Sequence, residues 1–521
     1  MSGGRKERID MKFSMFVLAA NCAAALGAAE FAFAPNIQPL PKKITVETNT
    51  LVRVDRNLTI TVACADGSAK VAADWAADRF EEWFRFTKSG WLFPSVNAPK
   101  VVAAECNGER LPGGDEAYEI DSRTDGVSVR ANTLQGVRYA LYSMRQTMLA
   151  APRNVRKTQW YVMPAFKISD APALRFRGVH IPWNMKATPT EVEKRVRLAA
   201  HLKYNYAVIE PWGTFRSKRH PWWGWKEGTM THDAVKRIVA VGKELGITLI
   251  PQIPAFGHAS MGITSPGRHA ILDAHGEYAP LFESLNGWNW CFSNPETLKV
   301  QFELIDELSE LFDNPPYFHV GFDEAAKPNC PRCLASDYRA LVIKHIRALH
   351  AGLKERGMKM MLWHDMFLKE GDERWKGFYA NGTEETVSAF ETFPRDMVVC
   401  DWFYEKAKDS YPTLAHFKKM GFEVLTCTWY ERCGTAAQGA AARSLGLDGV
   451  LVTTWGYGQG KQRGKYVADM FAAGAAAAWG SPYEESPLWK WGYDLDFIRN
   501  LRDVVHDMHL DGFEAAGTYK E

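Results

Sequence analysis

The chain has 521 residues, of which 46% are hydrophobic and 24% charged, the composition of a globular protein long enough for two or three domains. Its formal net charge of +2 gives no reason to expect nucleic acid or an anionic membrane as a partner. Nine cysteines are too few for a disulfide scaffold in a chain of this length. Composition alone therefore does not indicate a function. The prediction of function depends on local motifs.

The first 34 residues have the organisation of a secretory signal. Basic residues from Arg5 to Lys12 precede an apolar, Ala-rich run at residues 13–29. This order predicts a signal peptide, with cleavage expected near Ala28 or Ala34. The run is short for a membrane span, although a retained N-terminal anchor stays an alternative. We therefore expect an exported protein, periplasmic or extracellular, that has lost residues 1–34.

Residues 35–168 have the pattern of a small α+β domain. Short alternating segments such as residues 58–62 and 126–130 predict strands, and apolar residues at helical spacing predict helices at 69–86 and 134–150. No residues in this region have catalytic spacing. We expect it to be an accessory domain.

Strand and helix patterns alternate from residue 169 to residue 480. Thr188 and Glu191 have the spacing of a capping box at a helix start, and a further helix is predicted at residues 334–356. Strands are predicted at residues 178–182, 206–210, 247–252, 316–322, 359–363, 397–402, 423–428 and 449–454. Eight such units favour an α/β fold closed into a (β/α)8 TIM barrel over an open doubly wound sheet. Residues 481–521 are predicted to form a helical tail.

The fourth predicted strand ends at two adjacent carboxylates, Asp323 and Glu324. Parallel barrels carry their chemistry at the C-terminal ends of their strands, so this pair is the candidate catalytic centre. The alternative is structural, because acidic residues before a helix also stabilise its N-terminus.

Tryptophans follow four of the last five predicted strands, at Trp363, Trp402, Trp429 and Trp455. Taken singly, each is better explained by core packing. Four at equivalent positions predict an aromatic cage, and aromatic faces stack on the apolar faces of sugar rings.

The segment His-Val-Gly-Phe-Asp-Glu at residues 319–324 resembles the His-x-Gly-Gly-Asp-Glu signature of glycoside hydrolase family 20, the β-N-acetylhexosaminidases. Phe322 replaces the second glycine, as in the hexosaminidase D branch, and we expect it to narrow the pocket floor. The resemblance implies an exo-acting, retaining enzyme in which the substrate's 2-acetamido oxygen attacks the anomeric carbon. Glu324 would then be the acid and base, and Asp323 would hold the acetamido N–H.

The same resemblance suggests supporting residues. Residues 252–258 are similar to the family's Pro-Gly-His segment, so His258 is expected to orient the acids, with helix capping or core packing as the alternative. Glu210 is expected to hold a network at the barrel mouth or to form a structural salt bridge. Tyr430 would hydrogen-bond the acetamido oxygen and Trp455 would stack on the sugar. In many family members an arginine near this position contacts the sugar hydroxyls, and here Lys186 would take its place. The choice between N-acetylglucosamine and N-acetylgalactosamine therefore stays open.

Cys330 and Cys333 form a Cys-x-x-Cys motif shortly after the acidic pair. A loop disulfide, a structural metal and a reduced pair all remain open, because a single such motif is weak evidence for zinc. The proposed reaction needs no cofactor and no metal.

Two other functions remain open from the sequence. A different barrel glycosidase would pair Glu324 with a distant carboxylate, Glu210 or Asp365, and would cleave glycosides without a 2-acetamido group. A noncatalytic glycan-binding protein on the same barrel would bind sugar without forming product. In the leading prediction the substrate is a glycan with a terminal N-acetylhexosamine. No stable membrane partner is expected, and the oligomeric state stays open.

Overall fold

A computed structural model describes residues 37–84, 86–88, 91–93, 97–150, 161–184, 187–225, 227–259, 272, 274–283, 287–455 and 467–481. The predicted signal at residues 1–34, nearly all of the predicted tail and Lys186 lie outside these residues. The chain divides near residue 171 into two compact units, and each is described by itself. Within the described residues, no helix is both long and apolar enough to cross a bilayer.

The first unit is a mixed β-sheet with two helices. Its elements are β1 Lys43–Val54, β2 Thr59–Cys64, α1 Ala69–Phe84, β3 Phe86–Lys88, β4 Trp91–Phe93, β5 Lys100–Ala103, β6 Tyr118–Arg123, β7 Gly126–Ala131, α2 Leu134–Thr147, β8 Leu149–Ala150 and β9 Tyr161–Asp170. The main sheet has the order β1-β9-β6-β7-β2-β5, with β8 paired to β9, and β3 pairs separately with β4.

Both helices of this unit end earlier than the sequence predicted. Helix α2 stops at Thr147 instead of residue 150, because Leu149 and Ala150 pair with Val162 and Tyr161 of β9. The residues predicted as the last helical turn therefore form the short strand β8 instead. Ala76 and Phe80 of α1 are fully buried, in agreement with the apolar face that predicted the helix.

The second unit is built on eight parallel strands. They are β10 Phe176–Pro182, β11 Tyr206–Glu210, β12 Thr248–Pro251, β13 Tyr317–His319, β14 Lys359–Trp363, β15 Val398–Trp402, β16 Glu423–Thr428 and β17 Gly449–Val452. Each pairs in parallel with its neighbours in the order β12-β11-β10-β17-β16-β15-β14-β13. A single parallel bridge between Gln252 and His319 joins the two ends. The predicted (β/α)8 barrel is therefore confirmed.

Helices alternate with these strands. They are α3 Pro189–His201, α4 His232–Leu245, α5 Pro295–Leu311, α6 Pro331–Leu334, α7 Tyr338–Glu355, α8 Glu384–Phe390, α9 Pro412–Lys419, α10 Arg432–Ser444 and α11 Val467–Trp479. The capping box of α3 is present, because Thr188 accepts from the Glu191 N–H and Glu191 accepts from the Thr188 N–H. The predicted helix at 334–356 is instead α6 and α7, and Asp337 caps α7 by accepting from the Ala340 N–H.

The fourth strand is shorter than predicted. The ladder with β14 covers only Tyr317–His319, whereas the sequence predicted a strand up to residue 322. Gly321 and Phe322 have φ values of 66° and 85°, which no strand residue adopts. The chain therefore leaves the barrel wall before it reaches the acids. Inside the barrel, apolar side chains such as Val208, Ile250, Met361 and Leu451 fill the core.

Candidate active site

A cavity of about 430 Å³ lies at the C-terminal ends of the barrel strands. Three of its lining residues, Glu210, Trp363 and Trp402, are the last residues of β11, β14 and β15. The complete lining is Glu210, Trp212, His258, Asp323, Glu324, Trp363, Tyr379, Asn381, Trp402, Tyr404, Trp429 and Trp455. Parallel closure of the barrel is what brings these side chains together from sequence positions more than 200 residues apart.

The loop that carries the acidic pair is tightly bent. Gly321, Phe322 and Glu324 all have positive φ, at 66°, 85° and 45°. A positive φ costs a non-glycine residue free energy, and such residues concentrate at functional sites. Two residues of this loop are thus held in conformations that only the surrounding contacts stabilise.

Phe322 does not narrow the pocket floor, which corrects the expectation from the sequence. Its side chain is fully buried and packs among Phe256, Phe292 and Phe367, with ring centroids 4.6, 6.1 and 5.8 Å away. The bend at Gly321 turns this ring away from the cavity. An aromatic anchor therefore holds the loop where the family signature has glycine.

Gly257 permits the close approach of two loops beneath the acids. A Cβ at this position would lie 2.3 Å from the backbone oxygen of Asp323 and 3.1 Å from the Ala325 backbone. Backbone atoms cannot yield to such a contact without moving the acidic pair. The glycine next to His258 is thus required by packing.

His258 lies between the two acids. Its Nε2 is 3.4 Å from Oδ2 of Asp323 and 3.4 Å from Oε2 of Glu324. Burial by itself would lower the pKa of His258, but the charges and hydrogen bonding of Asp323 and Glu324 outweigh it and raise the pKa to about 10. The imidazole is therefore cationic at neutral pH and holds both carboxylates.

Asp365 supports the acidic loop from the barrel side. Its Oδ2 accepts hydrogen bonds from the Glu324 N–H and the Asn381 side chain, each at 2.9 Å, and its Oδ1 accepts from Trp402 Nε1 at 3.3 Å. Burial and the nearby charge of Asp323 raise the pKa of Asp365 to about 7. Because Asp365 is fully buried, its carboxylate positions other groups and does not line the cavity.

Two residues hold the acidic loop from the opposite side. Trp288 Nε1 donates to the backbone oxygen of Glu324 at 2.7 Å, and its ring lies 4.4 Å from the His258 ring. Asn289 donates to the Ala326 oxygen at 2.6 Å and accepts from the Ala326 N–H at 3.0 Å. Both backbone groups of Ala326 are thus fixed by a single side chain.

Glu210 at the end of β11 pairs with a buried histidine. His180 Nε2 lies 3.0 Å from Glu210 Oε2, and the His180 ring lies 4.3 Å from the ring of Trp455. The sequence left a barrel-mouth network and a structural ion pair open for Glu210. The structure combines these two alternatives, since Glu210 lines the cavity and also pairs with His180 behind it in the chain's barrel core.

The aromatic wall is held by hydrogen bonds as well as by packing. Trp455 Nε1 donates to the Tyr404 hydroxyl at 2.6 Å. The Tyr379 ring stacks on Trp402 at 4.1 Å, and its hydroxyl donates to Glu405 at 3.0 Å. These contacts fix the ring planes, so the cavity presents fixed aromatic faces to a ligand.

Comparisons with known proteins agree with this architecture. Residues 192–443 match the model of the glycosyl hydrolase family 20 catalytic domain, and residues 34–171 match that of glycosyl hydrolase family 20, domain 2. The chain belongs to glycosyl hydrolase family 20. Domain 2 of the family thus corresponds to the first, sheet-based unit, and the catalytic domain to the barrel.

Individual members of family 20 resemble the chain at low identity. A beta-hexosaminidase of Porphyromonas gingivalis is 23% identical over 368 residues, which are 64% of this chain and 45% of that protein. The chain thus spans less than half the length of this relative. A structure of the exo-β-N-acetylglucosaminidase of Vibrio harveyi with N-acetylglucosamine matches with a TM-score of 0.64 at 16% identity, over 95% of this chain and 80% of that one. The β-N-acetylhexosaminidase of Bacteroides fragilis matches with a TM-score of 0.63 at 19% identity, over 90% and 96%.

Most site residues expected from the sequence, by strand-end position or by the family 20 resemblance, lie around one cavity. These are Glu210, His258, Asp323, Glu324, Trp363, Trp402, Trp429 and Trp455. Tyr430 packs against Trp429, with ring centroids 4.6 Å apart, but does not line the cavity. Lys186 lies outside the described residues, and likeness to the hexosaminidase D branch stays a prediction.

Tyr379 and Asn381 line the cavity but were not expected from the sequence. They lie well beyond the end of β14, in the segment that leads to α8. The sequence prediction considered only residues at the ends of strands and therefore missed them. The segment Tyr-Ala-Asn-Gly at residues 379–382 has the composition of a surface turn. The side chain and the backbone N–H of Asn381 both donate to Asp365, and these contacts hold the segment at the barrel mouth.

Proposed function

We propose that the protein is an exo-acting, retaining β-N-acetylhexosaminidase that works by substrate-assisted catalysis. The observation that carries the proposal is that Asp323 and Glu324, adjacent in the chain, both face one cavity walled by tryptophan. The beta-hexosaminidase relatives support the choice of reaction. The substrate is a glycan that ends in a β-linked N-acetylglucosamine or N-acetylgalactosamine.

The two acids differ in exposure, and this supports separate roles for them. The Glu324 side chain is 51% exposed, whereas that of Asp323 is 15% exposed. The leaving group of an exo-enzyme extends toward solvent, so the exposed Glu324 is suited to protonate it. The enclosed Asp323 is suited to hold the acetamido N–H inside the cavity.

The reaction proceeds in two steps that balance. First, the acetamido oxygen of the substrate bonds to the anomeric carbon, the glycosidic C–O bond breaks, and Glu324 gives its proton to the departing oxygen. Asp323 stabilises the positive charge of the resulting oxazolinium. In the second step water attacks the anomeric carbon and gives a proton to Glu324, while the C–O bond to the acetamido oxygen breaks. Two inversions at one carbon give net retention.

His258 supports the first step by holding the side chains of Asp323 and Glu324 in place. Glu324 must be protonated when the substrate binds. In that state Asp323 is still negatively charged and remains paired with His258. The buried rings of Trp363 and Trp402 and the half-buried ring of Trp455 provide apolar faces for the sugar and its acetamido methyl group. Tyr430 lies outside the cavity lining, so the hydrogen bond to the acetamido oxygen that the sequence predicted for it is not part of this proposal.

A mechanism with two separated carboxylates is less well supported. The buried Asp365 already accepts three hydrogen bonds and does not line the cavity. Glu210 does line it, but its Oε2 pairs with His180. A binding protein without activity is also less well supported, since binding alone does not require the bent acidic loop.

Four chromogenic substrates test the proposal directly. The purified protein is incubated with the β-N-acetylglucosaminide, the β-N-acetylgalactosaminide, the β-glucoside and the β-galactoside, with and without a thiazoline that mimics the cyclised intermediate. We expect cleavage of acetamido sugars only, blocked by the thiazoline. Cleavage of the plain glycosides would require two separated carboxylates, and sugar binding without product would identify a binding protein.

Substitution of the acids tests the assigned roles. Glu324→Gln is expected to lower kcat by about 10²- to 10⁴-fold on substrates with a poor leaving group, with binding retained, because it removes general acid catalysis. Asp323→Asn is expected to lower turnover as well. Glu370→Gln changes an exposed acid outside the cavity and is the matched control. Unchanged turnover in Glu324→Gln would remove Glu324 from the role of acid.

The proposal includes export of the enzyme. It is supported by the basic flank and the apolar run at residues 13–29. Expression of the full chain in a bacterial host, followed by identification of the N-terminal peptide, tests this. A mature N-terminus after residue 28 or 34 is expected, and an intact N-terminus on intracellular protein would contradict export.

A further inference from the structure

A cluster of three cysteines lies beside the acidic loop. Cys330 and Cys333 belong to the first turn of α6, and Cys291 comes from the segment before α5. The Cys291 sulfur is 3.4 Å from that of Cys330 and 3.7 Å from that of Cys333, and all three sulfurs lie within 4.8 Å of one another. The sequence motif contained only two of these residues, and the fold supplies the third.

The sulfur separations correspond to shared metal ligation. With Zn–S bonds of about 2.3 Å, tetrahedral geometry places two sulfur ligands about 3.8 Å apart. A disulfide requires about 2.05 Å. The separations of 3.4 and 3.7 Å are close to the first value. Moreover, Cys291 is near both partners at once, whereas a disulfide pairs only two sulfurs.

Glu283 supplies an independent observation at the same place. This residue is only 5% exposed, and its carboxylate lies beside the Cys333 thiol. Oε2 accepts from the Asn329 N–H at 3.2 Å, Oε1 is buried, and the Cys333 thiol is the other donor beside the carboxylate. A thiol is a weak donor, so burial of this carboxylate costs free energy unless a cation also meets it.

We propose that Cys291, Cys330, Cys333 and Glu283 bind one Zn²⁺ ion in a closed tetrahedral site. Zinc is the metal that three clustered thiolates favour, and Glu283, whose carboxylate lies beside Cys333, is the candidate for the fourth ligand. Cys291 and Cys333 are at most 1% exposed and Cys330 is partly exposed, and four protein ligands would leave no open position of the kind that a catalytic zinc keeps. Arg332 donates to Cys291 at 3.7 Å and offsets part of the excess negative charge.

The metal joins two loops that hold the acidic pair. Trp288 and Asn289 lie between the ligands Glu283 and Cys291 in the sequence, and they hydrogen-bond to Glu324 and Ala326. Cys330 and Cys333 follow Ala326 on the second loop. The zinc ion would thus connect the loop of Trp288 and Asn289 to the segment that follows the acids, and so fix the acidic loop from both. It takes no part in the chemical step.

Metal analysis of the whole chain tests this site. The protein is reduced, reconstituted anaerobically with Zn²⁺, freed of excess metal and analysed for bound zinc; a second sample receives Co²⁺. We expect about one tightly bound zinc per chain, and sulfur-to-cobalt charge-transfer absorption together with the ligand-field bands of tetrahedral cobalt. Chelation should lower Tm, and added zinc should restore it.

Single substitutions identify the ligands. Cys330→Ser and Cys291→Ser are expected to lose the bound zinc and the charge-transfer bands, and Glu283→Gln to weaken zinc affinity at least about tenfold with altered cobalt bands. Cys433→Ser removes an exposed cysteine outside the cluster and should behave as wild type. Where a ligand variant does not fold, the stoichiometry and cobalt spectrum of the wild type decide.

Three results would overturn the zinc site. One is a reduced and reconstituted wild type that holds no zinc. The second is a disulfide between any two of the three cysteines that persists in protein reduced under mild conditions and incubated with Zn²⁺, found by peptide mapping. The third is full zinc retention in Cys330→Ser and Cys291→Ser. None of these measurements uses turnover, so they are independent of the proposed glycosidase activity.

Discussion

The backbone N–H of Glu324 donates a 2.9 Å hydrogen bond to Oδ2 of Asp365. Glu324 has a φ of 45°, so this bond holds the proposed acid in a backbone conformation that it would otherwise avoid. The same carboxylate binds Asn381 and Trp402. One buried group therefore couples the acid to two residues of the cavity wall.

Asp365→Asn is expected to lower kcat on an acetamido substrate by about 10- to 100-fold, with a smaller change in KM. The amide has one acceptor oxygen where the carboxylate has two, so at least one of three N–H donors meets an NH₂ group or loses its partner. Steady-state kinetics on the β-N-acetylglucosaminide measure the effect. Asp409→Asn, at an exposed position outside the cavity, is the control. Wild-type kcat in Asp365→Asn would show that the loop keeps its geometry without this bond.

Gly257→Ala is expected to reduce both stability and turnover. The added Cβ would lie 2.3 Å from the Asp323 oxygen, so the acidic loop must shift at a cost of about 1–3 kcal/mol. Gly276→Ala is the matched control, because a Cβ there meets no atom within 4 Å. Thermal unfolding and kcat are measured for both. Equal behaviour of the two variants would contradict the tight contact beneath the acids.

His258→Gln tests the charge between the acids through its pH dependence. The folded pKa of His258, about 10, lies above the usual value of about 6.5, so the folded state binds the proton more strongly than the unfolded chain does. The stabilisation from this proton is complete below about pH 6.5 and is lost as the pH rises through about 10.

Denaturant unfolding of wild type and His258→Gln from pH 6 to pH 10 measures this stabilisation. The stability advantage of the wild type is expected to shrink with rising pH, by at most about 1.4 kcal/mol per pH unit. His350→Gln, near the exposed carboxylate of Asp396 and remote from the cavity lining, is the control. A difference independent of pH would mean that His258 is neutral in the folded protein.

Trp455→Phe is expected to raise KM by about 2- to 12-fold, because it removes the indole N–H that donates to Tyr404 at 2.6 Å. A net hydrogen-bond contribution of about 0.5–1.5 kcal/mol corresponds to this range. Trp375→Phe changes a buried tryptophan outside the cavity and should leave KM unchanged. An unchanged KM in Trp455→Phe would show that the ring does not depend on this bond for its position.

The amino-acid sequence by itself determined the order of elements in the barrel. Strands and helices have hydrophobic patterns with periods of two and 3.6 residues, and helix caps such as Thr188 are local as well. Such patterns can be recognised in the sequence without knowledge of the tertiary structure. The eight strands were predicted in this way, and so was the placement of Asp323, Glu324 and four tryptophans at one end of them. The motif at residues 319–324 indicated the family.

Only the tertiary structure decided how the acids are held. The φ values of Phe322 and Glu324, the place of Phe322 in the core and the role of Asp365 all depend on contacts between residues far apart in the chain, as between Glu324 and Asp365, which are 41 positions apart. The same is true of Cys291, which reaches Cys330 across 39 positions. Local periodicity contains no information on such pairs, because loop conformation is set by the packing that surrounds the loop.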